Sequence, residues 1–96
     1  MLIEKQISVG DVVTLKLVSG EEIIARYDGE TANAIRLDKP LALVAGGKSL
    51  GMIPYIFLGD ATSILLNKSA VAVGPMQSKK DAATQYLEGT TGIALT

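Results

Sequence analysis

Between Val13 and Tyr27 the apolar residues recur at every second position on either side of Ser19-Gly20. Val13, Leu15 and Leu17 alternate with Val12, Thr14, Lys16 and Val18, and Ile23, Ala25 and Tyr27 alternate with Glu22, Ile24, Arg26 and Asp28. A period of two puts successive side chains on opposite faces of an extended chain, whereas a helix would scatter these residues around its axis. The stretch therefore predicts two half-buried strands joined as a hairpin through Ser19-Gly20, with Asp28-Gly29 as a second turn signal.

The rest of the chain extends this pattern. Beyond the polar connector Glu30-Thr31-Ala32-Asn33, the residues Ile35, Leu37, Leu41 and Leu43 share a parity, and Pro40 marks an edge position or a bend in a third strand. Ala45-Gly46-Gly47-Lys48-Ser49 reads as a flexible loop. The segment MIPYIFLGDATSILLN is apolar on both parities until Gly59-Asp60 interrupts it, which fits one long bent strand or two short ones. Ala70 to Val73 reads as a last short strand closed by Gly74-Pro75. Ser78 with Asp81 has the spacing of a capping box. Ala82, Ala83, Tyr86 and Leu87 make an apolar stripe, and Gly89 suits a helix stop, so a short helix is expected within 78–89.

Composition narrows the chemistry. Ninety-six residues suffice for a single domain, 1–96, with one modest core. Without Cys or His the chain lacks thiolate and imidazole ligands, imidazole bases and disulfides, and its ten acidic residues are scattered without the spacing of a calcium loop. No catalytic residues, metal site or cofactor are expected. Glu4 and Lys5 interrupt the start where a signal peptide needs an apolar core, and the run from Met52 to Leu58 is too short to span a bilayer; the expectation is a cytoplasmic protein with no membrane contact. A net charge of −1 argues against duplex DNA as a partner. A mean hydropathy of +0.34 is high for so small a chain and predicts apolar surface covered by further copies of it.

Five short strands, most with one apolar face, make an all-β meander of the kind that small proteins close into a strongly bent SH3-like or OB-like barrel. Ala25, small and mid-strand, suits a tight bend there. At residues 11–74 the chain resembles the Sm-like (LSm) family. Gly20 matches the turn glycine of the family's first motif, Ile23, Ala25 and Tyr27 fill its next slots with Ala in place of Gly, and Ile35 with Leu37 match its third strand. Ile64-Leu65-Leu66, Asn67-Lys68, Ser69-Ala70 and Val71-Ala72-Val73 resemble the second motif, with Asn67-Lys68 in place of Arg-Gly. Glu30 stands where the family has Asp, and Ala34 where it has Asn. Divergence of this degree suits a viral or environmental member, such as a marine bacteriophage protein, whose cytoplasm is the host's.

The resemblance implies a five-stranded barrel assembled into a homo-oligomeric ring through its edge strands and binding single-stranded RNA; the C-terminal helix departs from the family, whose members usually begin with one. It also implies a reason for the polar island in ILLNKSAVAV: in such rings the flanking strands pair with neighbouring subunits and the turn between them faces the pore. Asn33 and Asn67 would then supply amides to base edges and Lys68 charge to phosphate, with Thr31 and Ser69 in the same two loops. Neither loop holds an aromatic residue or Arg for stacking. On residue type alone Asn67-Lys68-Ser69 is an ordinary hairpin turn, Asn33 tolerates an unusual backbone angle, and Tyr27 and Tyr55 belong to a core or an interface. Acidic pI and the empty stacking slots favour a second reading, a structural or assembly module of phage type without RNA affinity.

Overall fold

The alternation at the start of the chain builds the first hairpin. The computed structural model describes residues 6–46, 49–56, 59 and 62–91. Strands β1 (Val12–Leu17) and β2 (Glu22–Glu30) pair antiparallel with Leu15 opposite Ile23 and Val13 opposite Ala25. Gly20 closes the turn with a φ of 101°, a conformation open to glycine, and its N–H bonds the Leu17 carbonyl at 2.9 Å. Then follow β3 (Ala34–Gly46), β4 (Ser49–Pro54), β5 (Ser63–Asn67), a 3-10 turn (Lys68–Ala70), β6 (Val71–Gln77) and helix α1 (Lys80–Thr91).

The strands form one antiparallel sheet in the order β4-β3-β2-β1-β6, with β5 also on β3. There are six strands where five are expected. The sequence Ala45-Gly46, read as loop, continues β3, and Ser49 already begins β4, with Gly46 paired to Ser49; Gly47 and Lys48 lie outside the described residues. The apolar segment after it gives two strands, β4 and β5. β6 runs past Gly74-Pro75, because one extra residue there is absorbed as a register shift against β1. Gly74 permits this: its φ is +100°, and a Cβ would sit 2.8 Å from the Thr14 carbonyl oxygen.

Each face of the sheet has its own core. On one face Val13, Leu15, Leu17, Ile23, Ala25, Tyr27, Ile35, Leu37 and Leu66 pack together. On the other, Val12 and Ile24, which sit on the parity opposite the main stripe, are buried against Tyr86 of α1. The apolar stripe Ala82, Ala83, Tyr86 and Leu87 faces this second core, as its helical spacing predicts. The helix lies two residues later than its signals suggest. Ser78 Oγ shares a hydrogen bond with Thr14 Oγ1 at 2.7 Å, tying it to β1, and Gly89 is inside the helix. Among the described residues no helix is long and apolar enough to cross a membrane.

β3 changes partner midway. Ala34–Asp38 pairs with β5, and Leu41–Gly46 pairs with β4. At the change, opposite Ala25, β3 carries one residue more than β2; Lys39 takes a φ of 51° and Pro40 follows. The Tyr86 hydroxyl meets the backbone there. It accepts the Arg26 N–H at 3.1 Å, and its proton points between the carbonyls of Asp38 and Lys39, each at 2.9 Å. Burial pushes its pKa up to about 12.

Tyr86→Phe leaves those backbone groups without their partner in a dry site, so we expect about 1–3 kcal/mol of lost stability in urea unfolding, with the fold retained.

Candidate nucleic-acid interface

The bulge in β2 prepares the site. Tyr27 pairs with Leu37 and Glu30 with Ile35, so β2 holds one extra residue between the two pairs, and Gly29 takes a φ of +99°. Asp28-Gly29 is therefore a bulge within the strand, where the sequence suggested a turn. The consequence is geometric: residues three apart point to opposite faces of a regular strand, and one extra residue turns Glu30 onto the side of Tyr27. The Tyr27 hydroxyl donates to Glu30 Oε2 at 2.6 Å.

The connector after β2 is held by its own residues. Thr31 N–H bonds the Ala34 carbonyl at 2.8 Å, while Thr31 Oγ1 accepts the N–H groups of Ala34 at 3.0 Å and Asn33 at 3.3 Å. Thr31, Ala32 and Asn33 are exposed. The 3-10 turn between β5 and β6 arrives beside this connector because Ala34 pairs with Asn67. The Lys68 N–H then donates to the Asn33 carbonyl at 2.8 Å, and the Lys68 ammonium lies 2.7 Å from Glu30 Oε1.

Thus residues 30–33 and 67–69, far apart in sequence, form one surface. Asn33, Asn67, Ser69 and Thr31 are exposed on it and Lys68 is half-buried. Lys68, read as the charge for a phosphate, is ion-paired to Glu30. Hydrogen bonding from Lys68 and then from Tyr27 holds the Glu30 carboxyl below its usual range, and the bond to Glu30, with burial second, pushes the Tyr27 hydroxyl up to about 12. Beside the pair lies a depression of about 250 Å³ lined by Glu30, Lys68, Ile35, Val71, Ala72 and Pro75, among others. It offers one cation, one anion and some aliphatic lining.

Tyr27 belongs to the core, as its place in an apolar run suggests, yet its hydroxyl reaches the site. Tyr55 packs partly buried against the same core. The part of Glu30 was hidden because its approach to Tyr27 depends on the bulge; Gly29 was the available signal. Lys79 and Lys80 are exposed at the start of α1, on a different element. Among the described residues no three His, Cys, Asp or Glu converge on a possible metal position.

No protein-family model matches this chain, and no curated protein matches it by sequence.

Glu30→Ala removes the acceptor that keeps the Tyr27 proton in place. The tyrosinate absorbance titration should therefore show one transition moving down from about 12, absent when Tyr27→Phe is combined with it.

Proposed function

We propose that this chain is a non-enzymatic, cytoplasmic, Sm-like subunit that assembles into a homo-oligomeric ring and binds single-stranded RNA, with a role in RNA metabolism. The observation that carries the reading is the bond from the Lys68 N–H to the Asn33 carbonyl, which joins the two loops that the family resemblance assigns to RNA. Exposed amides at Asn33 and Asn67, hydroxyls at Thr31 and Ser69 and the Lys68 ammonium suit unpaired base edges and a phosphate.

The strand path supports a barrel. β5 lies on β3, β6 lies on β1, and only the three residues of the 3-10 turn separate β5 from β6, so the sheet must curl enough to bring its distant members together. Support for a ring comes from the edges. Among the described residues β5 pairs only with β3 and β6 only with β1, and each carries a large exposed aliphatic residue, Leu65 at 54% and Val73 at 50%. Two different edges joined head to tail generate a closed ring when the rotation between subunits permits it.

A structural or assembly role without RNA affinity is the second reading. The Glu30–Lys68 pair favours it, since a lysine already neutralised attracts phosphate less.

Fluorescence anisotropy with short labelled U-rich and A-rich RNAs at low and near-physiological salt tests the first reading. We expect saturable binding that weakens as salt rises and falls at least tenfold in Asn67→Ala/Lys68→Ala with the oligomer intact. Failure to bind either RNA at low salt moves the assignment to the assembly module. In both readings a charge on an edge strand, Leu65→Asp or Val73→Asp, should convert the oligomer to smaller species in analytical ultracentrifugation; an unchanged mass overturns pairing through these edges.

A further inference from the structure

The site holds an anion of its own. Glu30 is fixed by two hydrogen-bonding partners, the Tyr27 hydroxyl from β2 at 2.6 Å and the Lys68 ammonium from the 3-10 turn at 2.7 Å, one on each carboxylate oxygen. Tyr27 is itself anchored in the core, so the carboxylate is held against Lys68 and does not sweep freely through solvent. The side chains of the pair are 39% and 38% exposed, which leaves Lys68 open to a competing anion. The adjoining depression, with aliphatic lining from Ile35, Val71 and Ala72, gives such an anion and its attached sugar or base a place to lie.

We infer that Glu30 acts as a built-in competitor for the backbone phosphate of a single-stranded nucleic acid, so that a strand engages Lys68 only by displacing the Glu30 carboxylate. The inference rests on the proposed RNA-binding reading and adds to it a residue that sets affinity and salt response. Displacement changes the ion balance. A free lysine that meets phosphate releases the counterion held by that phosphate. A lysine that first leaves a carboxylate exposes a new negative charge, which takes up a cation and cancels much of that release. Binding by the natural chain should therefore depend on salt less steeply than its phosphate contacts alone would predict. The bonds from Lys68 and Tyr27 hold the Glu30 carboxyl below its usual range, so this competition is in force at neutral pH.

Glu30→Gln tests the inference: the amide oxygen keeps an acceptor for the Tyr27 hydroxyl, while the charge and the acceptor that faces Lys68 are removed. Anisotropy titrations of the same U-rich and A-rich RNAs are run over a salt series on the natural chain, Glu30→Gln, Lys68→Ala, the double variant Glu30→Gln/Lys68→Ala, and Glu88→Gln, which makes the same charge change at an exposed position of α1. We expect Glu30→Gln to bind about threefold or more tightly at low salt. Its slope of log affinity against log salt should steepen, by at most about 0.7 for each Lys68 engaged. Neither effect should appear in Glu88→Gln or in the double variant. RNA binding lost in Lys68→Ala but no tighter in Glu30→Gln than in Glu88→Gln overturns the competitor role, makes Glu30 a positioning residue and leaves the RNA reading intact. Absence of binding by every chain, Glu30→Gln included, overturns the RNA reading and the competitor with it.

Discussion

The hydroxyl of Tyr86 is the contact on which the shape of the sheet depends. β3 serves two partners in succession, and a strand that changes partner must break its ladder, leaving backbone donors and acceptors to be satisfied by other means. One buried hydroxyl meets three of them, from Arg26, Asp38 and Lys39, and the aromatic ring that delivers it fills the second core against Val12 and Ile24. The helix thus both covers an apolar face and completes the hydrogen bonding of the bend. Because the bend directs one half of β3 toward β5, it also determines where the turn after β5 lies.

Bulges transmit that geometry to the surface. The extra residue in β2 at Gly29 turns Glu30 toward Tyr27, and the pairing of β5 with β3 carries Lys68 to the same place. A polar cluster of core-anchored tyrosine, carboxylate and lysine results. Its charges cancel, in keeping with a nearly neutral chain, so the cluster adds little to any long-range field.

The high hydropathy has two destinations. Much of it is consumed by burying aliphatic residues on both faces of one sheet, an unusual demand for so short a chain, which explains why Ile24 and Val12 break the simple inside-outside alternation. The remainder is exposed, notably Leu65, Val73 and Met76 on β5 and β6 and Val44 and Ile53 on the β3–β4 hairpin. Apolar residues beside unpaired strand edges favour association, and natural proteins commonly cover such edges.

By itself the sequence determined the local elements: the first hairpin, the inward stripe from Val13 to Leu37, and a C-terminal helix with Tyr86 on its apolar face. These follow from periodicity and turn chemistry, which act between near neighbours. It also marked both loops of the candidate site through their polar residues. Only the tertiary structure decided that Ile24 is buried, that β3 serves two strands, that Asp28-Gly29 is a bulge and Gly74-Pro75 is spanned by a strand, and that Lys68 meets Glu30. The physical reason is the same in each case. A glycine with positive φ ends a strand or bulges it according to the partner strand beside it, and a charged side chain is free or paired according to which distant segment the bend delivers.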